Sequence, residues 1–399
     1  MSAADKQPVP GVEAWIPEAL LDLQAQGLLR RLVAYPETGG RIRLDGAEVL
    51  NFSSNDYLAL ARHPEVVGAA VRYAQRYGAG ATASRLVCGT LDCHAELERQ
   101  IAALKGYPAA LVFGSGYSAN LGIIPALLGP HDHAFLDRRA HASLVDGVVL
   151  SRARLHRFRH NDPEDLRRLL RQAPAAGRRL ILTESVFSMD GDLAPLGDLA
   201  RAAAEGNAMV LVDEAHATGV FGPRGAGCVA AAGLAPAVNL SMGTLSKALG
   251  GYGAFVACSE PLRDWLIQRA RAFIYSTALP PAAVGSALGA LRALAAVPGR
   301  GAELLARAAE FRRRLQQAGF DTGASQSQII PLLMGANELA LRFAGGLRAS
   351  GLVAVAIRPP TVPPGTARVR LSVTLAHSRA DLARAAEVLT RVARAEGVL

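Results

Sequence analysis

The sequence predicts an α/β protein with a central, mostly parallel, seven-stranded sheet flanked by helices and a smaller C-terminal α+β domain. The first observation is that short apolar runs alternate with helical segments, the pattern of parallel strands joined by crossover helices. The second is that this alternation stops near Ala290. The third is the composition of the 399 residues, 50% hydrophobic and 19% charged, which suits a folded protein with large cores. The seven predicted strands are residues 109–113, 134–137, 155–158, 180–184, 209–213, 238–242 and 254–258.

An N-terminal arm, residues 1–55, precedes this alternation. Leucines at helical spacing over residues 17–32 predict an amphipathic helix that ends in a pair of arginines, the first of which is Arg30. Alternating residues between 42 and 49 predict a short hairpin. The polar run that follows contains Asn55, which either caps a helix or reaches a ligand.

A large domain is predicted over residues 56–290. In parallel sheets ligands bind beyond the carboxyl ends of the strands, and polar residues cluster at those places in this sequence. The glycine turn at residues 114–120 opens a helix, which predicts a site for one phosphate. A dinucleotide site is not predicted, because the third glycine of its fingerprint is missing. The polar residues that follow the later strands are His141, Ser188, Asp213 and His216.

Asp213 closes an apolar strand, where an unpaired carboxylate is costly. We therefore expect Asp213 to face a cation or strong hydrogen-bond donors, the alternative being a cap on the next helix. The DEAH sequence that begins there also occurs in helicases, but a helicase needs an upstream nucleotide-binding loop that this sequence lacks. His141 alone would usually be structural, but its place just past a strand favours a role in binding.

Lysine is rare in this chain, and Lys247 lies between an apolar run and a glycine-rich turn. A desolvated lysine, unlike arginine, can lose its proton and act as a base or form a Schiff base. The Thr244 hydroxyl nearby suits an anion such as phosphate. A phosphate-binding loop requires glycine before the lysine and serine or threonine after it, and Ser246 and Ala248 occupy those places. Lys247 is predicted to be a reactive amine, the alternative being an ordinary surface lysine.

A small domain is predicted over residues 291–399. Its proline-rich stretch fixes the backbone around Arg358 and Thr361. Arginine on a rigid backbone suits a bidentate carboxylate clamp, and a structural arginine on an edge strand is the alternative. The predicted elements are a helix at 303–317, strands at 329–334, 352–357 and 369–374, and a last helix at 378–395.

Composition limits the classes of protein. The 43 basic and 34 acidic residues give a net charge of +9, but the arginines are scattered, which favours anionic small substrates over nucleic acid. The four cysteines show no metal-ligand or disulfide spacing, so no metal is predicted and a reducing cytoplasm suits them. The N-terminal residues lack the apolar core of a signal peptide. Arg292 interrupts the apolar run at 280–299, so no membrane span is predicted.

Five motifs along the chain resemble the α-oxoamine synthases, a family of fold-type I pyridoxal-phosphate enzymes. They are RRAHASL, VFSMDGD, DEAHATGVFG, GTLSKALGGYG and RPPTVPPGTARVRL, and the resemblance runs from about residue 29 to the C-terminus. It implies pyridoxal 5'-phosphate as cofactor and a decarboxylating condensation of an amino acid with an acyl thioester. The C-terminal motif favours alanine and a pimeloyl thioester, with the glycine-using sister enzymes as the alternative. A pyridoxal-phosphate-containing transcription regulator would need a DNA-binding domain, for which residues 1–55 leave little room.

The resemblance also implies residue roles. Lys247 would hold the cofactor and then act as base, and Asp213 would keep the pyridine nitrogen protonated, which makes the ring an electron sink. His141 would stack on the ring. The other implied cofactor residues are Gly116, Tyr117 and Thr244 near the phosphate and ring face, Ser188 and His216 at the phenolic oxygen, and Ser276 and Thr277 at the phosphate.

Ser276 and Thr277 would reach that phosphate from a neighbouring subunit, which implies a homodimer with shared active sites. On the substrate side, Arg358 would bind the amino-acid carboxylate. Thr361 and Arg30 would lie nearer the acyl substrate, and His141 and Asn55 would complete the substrate site.

Overall fold

The computed structural model describes residues 11–37, 39–44 and 46–399. Residues 1–10 lie outside the described residues. The predicted N-terminal arm begins in them, and so does the segment that was found to lack the apolar core of a signal peptide.

Over the described residues the chain forms thirteen strands and fourteen α-helices. The strands are β1 Arg41–Leu44, β2 Ala47–Asn51, β3 Ala109–Phe113, β4 His133–Asp137, β5 Arg154–Phe158, β6 Arg179–Glu184, β7 Met209–Asp213, β8 Leu240–Thr244, β9 Ala254–Cys258, β10 Ile329–Gly335, β11 Leu352–Val353, β12 Val355–Ile357 and β13 Ala367–Ser372. The helices are α1 Trp15–Ala25, α2 Pro64–Tyr77, α3 Asp92–Lys105, α4 Gly116–Leu127, α5 Ala142–Ser151, α6 Pro163–Gln172, α7 Leu196–Glu205, α8 Cys228–Ala231, α9 Glu260–Arg269, α10 Arg271–Ile274, α11 Pro281–Ala296, α12 Arg300–Gln317, α13 Asn337–Ala349 and α14 Arg379–Glu396.

A seven-stranded sheet in the order β3-β9-β8-β7-β6-β4-β5 forms the centre of the fold. Strand β9 is antiparallel to both its neighbours, and the other pairs are parallel. Strands β3, β4, β8 and β9 are buried along their whole length, because helices cover both faces and leave no side of the sheet for water. The predicted α/β class and mostly parallel sheet are confirmed.

The predicted strand at 238–242 is displaced by two residues. Strand β8 begins at Leu240, which pairs with Cys258 of β9. The two residues before it are used differently, since the Tyr107 hydroxyl donates to the Val238 carbonyl and the Asn239 side chain accepts from the Val210 N–H. These side-chain contacts take the place of strand-to-strand hydrogen bonds just before the start of β8.

The predicted N-terminal helix at 17–32 is wrong at its end, because α1 stops at Ala25. Gly27 adopts a φ of +64°, and the N–H groups of Leu28 and Leu29 both return to the Leu23 carbonyl, at 2.7 and 3.0 Å. Glycine in the left-handed region ends a helix whatever the leucine spacing beyond it. None of the eleven described residues of α1 is buried, and Arg30 lies outside the helix.

The predicted hairpin in the arm is present, with Ile42 opposite Val49. Its second strand, β2, pairs in parallel with β11, so the arm and the C-terminal region share a three-stranded sheet. The strand predicted at 352–357 is therefore two strands, because β12 turns away into a second sheet with β13 and β10. The domain boundaries at residues 55 and 290 stay predictions.

Among the described residues, no single helix is both long and apolar enough to cross a bilayer. Helices α11 and α12 meet the length and composition criterion only as a pair, and they are bent by 79° at their junction.

Candidate active site

A cavity of about 180 Å³ lies at the carboxyl ends of three neighbouring strands of the central sheet. Glu184, Asp213 and Thr244, the last residues of β6, β7 and β8, all line it. This is the edge at which parallel sheets bind ligands. The predicted site residues that line the cavity are Gly116, Tyr117, His141, Asp213, His216, Thr244 and Lys247.

The Lys247 amine reaches the imidazole of His216, with 2.8 Å between Nζ and Nε2. Burial lowers the pKa of Lys247 to about 8, against the opposing effect of the carboxylates of Asp213 and Glu184. Burial and the neighbouring Lys247 also hold the pKa of His216 well below its usual range. A lysine with such a pKa loses its proton readily near neutral pH, as a base or nucleophile requires.

Both oxygens of Asp213 accept hydrogen bonds from the chain. The Ala215 N–H donates to Oδ1 at 2.9 Å, and the Asn120 side chain donates to Oδ2 at 3.0 Å. Asn120 is fully buried on α4 and also contacts the Ser143 hydroxyl at 2.9 Å. Asp213 therefore faces strong donors, as its position at the end of an apolar strand predicts.

A chain of buried hydrogen bonds extends from His216 away from the cavity. The Tyr57 hydroxyl lies 2.6 Å from His216 Nδ1, and Arg370 donates to that hydroxyl at 3.2 Å. Arg370 also donates to Asn55 Oδ1 at 3.2 Å and to the Ser188 carbonyl at 2.7 Å. Asn55 and Ser188 are thus joined to the site through Arg370, although neither is part of the cavity lining given above.

His141 lies at the N-terminus of α5. Its Nδ1 accepts from the Ser143 N–H at 3.2 Å and lies 2.8 Å from the Ser143 hydroxyl, so the ring is held by its own helix. His141 is exposed to solvent on one side, but the protein atoms around the ring partly desolvate it and lower its pKa, which favours the neutral ring near pH 7.

The helix α4 begins at the cavity with Gly116. A Cβ at this position would lie 2.8 Å from Cγ2 of Thr244, so only glycine fits without moving that side chain. The next residue, Tyr117, is half exposed, and its hydroxyl donates to Asp146 Oδ2 at 2.5 Å. Because the first N–H groups of a helix have no partner within the helix, this end suits an anionic group.

Other predicted residues lie elsewhere in the single chain. Ser276 and Thr277 are exposed and border a different, smaller cavity of about 20 Å³. Arg358 is half-buried and donates to the Gly27 carbonyl, while Arg30 donates to the Pro359 carbonyl at 3.3 Å. Thr361 is exposed.

Three residues that the sequence analysis did not single out belong to the site or its support. Asn120 holds Asp213, Tyr57 holds His216, and Glu184 lines the cavity. Glu184 closes a buried strand just as Asp213 does, and that signal could have been found in the sequence. Tyr57 and His216 are 159 positions apart, and nothing local predicts their contact.

A histidine outside the cavity ties together two loops of the site. His160 lies 2.9 Å from Asp137 Oδ1, just before the loop with His141, and 2.7 Å from Asp192 Oδ2, just after the loop with Ser188. Burial lowers the pKa of His160, but hydrogen bonds to the two carboxylates outweigh it and raise the pKa to about 9. The charged imidazolium therefore bridges both loops near neutral pH.

The residues present fit pyridoxal phosphate. One cavity combines an amine of lowered pKa, a carboxylate with two donors, a neutral imidazole and a helix N-terminus, which match the aldehyde, pyridine nitrogen, ring and phosphate of that group. The fold and these residues define a fold-type I pyridoxal-phosphate enzyme, and the chain belongs to the aminotransferase class I and II family, whose model matches residues 47–389.

Similar proteins of known name show to which group of this family the chain belongs. An 8-amino-7-oxononanoate synthase of Geobacter metallireducens is 48% identical over 385 residues, which cover 96% of this chain and 98% of the relative. Within the family, the chain belongs with the 8-amino-7-oxononanoate synthases, which are acyltransferases.

Solved structures of two enzymes share the fold of this chain. A serine palmitoyltransferase from S. paucimobilis with bound PLP–myriocin has a TM-score of 0.89 and 31% identity, covering 98% of this chain and 100% of that chain. An 8-amino-7-oxononanoate synthase from Francisella tularensis has a TM-score of 0.76 and 30% identity, covering 88% of this chain and 99% of that chain.

Proposed function

We propose that this chain condenses L-alanine with a pimeloyl thioester and releases carbon dioxide and the thiol, giving 8-amino-7-oxononanoate for biotin biosynthesis. The acyl group arrives on coenzyme A or on a carrier protein. The observation that carries the proposal is the Lys247 amine, which has a pKa of about 8 and lines one cavity with Asp213.

Bound pyridoxal phosphate supplies an electron sink for the deprotonation and the decarboxylation. Lys247 would hold the cofactor through its amine, and the same amine, when free, would take the proton from the alanine Cα at Nζ. Its pKa of about 8 matches this task, because a base works best when its pKa is near the operating pH.

Asp213 keeps a proton on the pyridine nitrogen. A charge-assisted hydrogen bond of about 1.5–3 kcal/mol raises the pKa of that nitrogen by roughly one to two units. The donors Asn120 and Ala215 support this role, because they fix the carboxylate in one orientation.

The other cofactor roles follow the family resemblance. His141 stacks on the ring, and Ser188 and His216 bind the phenolic oxygen. Gly116, Tyr117 and Thr244 contact the phosphate and ring face, which their place on the cavity supports.

Ser276 and Thr277 complete the phosphate site of a neighbouring subunit in a cytoplasmic homodimer. Their exposure, and their place on a cavity other than the one that Lys247 lines, support a role in a partner's site. Mixing Lys247→Ala protein with Ser276→Ala/Thr277→Ala protein tests this, because hybrid dimers with shared sites regain one intact site. No gain of activity on mixing would contradict the sharing.

Arg358 binds the alanine carboxylate, with Thr361, Asn55 and Arg30 toward the acyl substrate. Arg358 has to leave the Gly27 carbonyl to do so. Arg370 is a second candidate, because it is buried next to His216, bonded to the same Tyr57 hydroxyl. To bind the carboxylate, Arg370 would have to leave its bonds to Asn55, Tyr57 or Ser188. Titrating alanine into Arg358→Ala and Arg370→Ala holoenzymes decides between them, since only loss of the clamp weakens alanine binding while cofactor binding is kept.

The substrate pair is tested by assaying alanine, glycine and serine, each with pimeloyl-, acetyl-, succinyl- and palmitoyl-CoA. We expect turnover with alanine and pimeloyl-CoA above every other pair. Turnover with glycine or serine alone would overturn the proposed pair and leave the family unchanged.

A further inference from the structure

Glu184 is a second carboxylate in the cavity, and none of the roles above uses it. It closes β6 and pairs in register with Asp213 at the end of β7. Residues paired on adjacent strands lie about 5 Å apart and place their side chains on the same face. Both residues are buried, with 2% of Glu184 and 5% of Asp213 exposed.

The two carboxylates have unequal partners. Among the described residues, both oxygens of Asp213 accept a hydrogen bond. Glu184 Oε2 accepts one from the Ser188 N–H at 3.2 Å, and the His141 N–H also lies near this carboxyl group and lowers its pKa, but Oε1 has no hydrogen-bond partner. A buried polar atom without a partner is destabilising unless a ligand or water satisfies it. Because Glu184 lines the cavity, a bound ligand can supply that partner.

The groups around Glu184 disfavour a negative charge on it. Burial and the neighbouring Asp213 raise the pKa of Glu184 well above its usual range, and the Lys247 amine opposes this only in part. Arg370 is committed to Asn55, Tyr57 and Ser188. The imidazoles of His141 and His216 are neutral near pH 7, because desolvation lowers the pKa of both. Two carboxylates that share a site cannot both ionise readily, and the one whose oxygen lacks a partner takes the proton.

We propose that Glu184 is held as a neutral carboxylic acid and donates a hydrogen bond from its unpartnered oxygen to an anionic oxygen of the ligand in the cavity. Two ligands carry such an oxygen: the cofactor at its phenolic position and the amino acid at its carboxylate. Neutral Glu184 also adds no charge of its own to the cavity, so an incoming carboxylate meets less repulsion. This inference rests on the proposed function for the identity of the ligands.

Glu184→Gln and Glu184→Ala distinguish a neutral acid from an anion. Glutamine has the shape of the protonated acid, accepts from the Ser188 N–H and donates from its amide, whereas alanine does none of these. We expect Glu184→Ala to weaken ligand binding by about 10- to 100-fold, the loss of one hydrogen bond to a charged group. We expect glutamine to restore affinity to within about 5-fold of the wild type.

Two titrations identify the acceptor. Pyridoxal phosphate is titrated into cofactor-free protein by absorbance, and alanine is then titrated into cofactor-loaded protein. If Glu184→Ala binds pyridoxal phosphate more weakly than the wild type in the first titration, the acceptor is on the cofactor. If only the affinity for alanine falls, in the second titration, the acceptor is the amino-acid carboxylate. Equal losses in Glu184→Gln and Glu184→Ala would show an anionic Glu184 and overturn the proposal, as would unchanged binding in Glu184→Ala.

The difference between the infrared spectra of the wild type and Glu184→Gln tests the proposal even if Glu184→Ala does not fold. The wild type should show the carbonyl stretch of a protonated carboxyl group near neutral pH, and the Glu184→Gln spectrum should lack that band. A wild-type spectrum without this carbonyl band would contradict the proposal. The binding and infrared measurements involve no acyl donor, so they are unaffected if the proposed acyl substrate is wrong. If the wild-type protein bound no pyridoxal phosphate, the proposed function itself would be contradicted.

Discussion

The buried ion pair between Lys105 and Glu214 holds the segment that carries Asp213. Lys105 is 1% exposed and Glu214 is fully buried, and the Lys105 amine contacts Glu214 Oε2. The Ser241 hydroxyl also donates to this carboxylate at 2.8 Å, and the Val229 N–H does so at 2.9 Å. Lys105→Met keeps the bulk of the side chain and removes the cation, so Glu214 is left as a buried charge.

The size of the effect follows from these contacts. Breaking a buried pair by removing one partner destabilises a protein by about 3–5 kcal/mol. Since two donors to Glu214 remain, we expect the lower end, about 3 kcal/mol. With an unfolding entropy of about 2.1 cal/mol/K per residue, a chain of 399 residues loses roughly 4 °C in Tm.

Thermal unfolding at saturating cofactor measures this shift. The double variant Lys105→Met/Glu214→Gln removes the stranded charge and should recover at least half of the loss. Arg201→Met is the matched control, because its pair with Asp198 is exposed and exposed pairs contribute about 0–1 kcal/mol. A Tm of Lys105→Met equal to that of Arg201→Met would refute the reasoning.

Three further predictions follow from the site. The pKa of His160 is raised from an ordinary 6.5 to about 9, which contributes up to about 3 kcal/mol to the free energy of unfolding. This contribution is complete below pH ~6.5 and is lost as the pH rises through about 9. The Tm of the wild type should therefore fall between pH 6 and pH 10, and the Tm of His160→Gln should change less. Gly116→Ala should weaken cofactor binding by about 5- to 100-fold in an absorbance titration, because the added Cβ displaces Thr244, and unchanged affinity would contradict the close fit. Asn120→Ala should lower catalytic activity by about 10- to 100-fold while the protein stays folded by circular dichroism, since Asp213 loses one donor; normal activity would show that this donor is dispensable.

Local patterns predict the strands of the central sheet well. Strands 109–113, 209–213 and 254–258 lie where the apolar runs place them, because these strands are buried on both faces and end at polar or glycine residues. The antiparallel direction of β9 was missed, although the sequence contains a signal for it: only residues 245–253 join β8 to β9, which is too short for the crossover helix that a parallel pair requires. The early end of α1 was missed in the same way, because Gly27 is a residue type that commonly ends helices.

The site was predictable to the extent that its residues end strands. Asp213 follows directly from that rule, whereas Lys247 was singled out as a rare lysine before a glycine-rich turn and Thr244 as a hydroxyl near it; the structure brings all three to one cavity. The support of the site was not predictable, because the contact between Tyr57 and Arg370 joins residues 313 positions apart.

The central claim is that the Lys247 amine carries the cofactor. The chain has three lysines, Lys6, Lys105 and Lys247, so borohydride reduction of the holoenzyme followed by peptide mass spectrometry can assign the modified amine without ambiguity. We expect a pyridoxyl phosphate adduct on the peptide that contains Lys247, and none in Lys247→Ala. An adduct on Lys6 or Lys105, or the same adduct yield in Lys247→Ala, would contradict it.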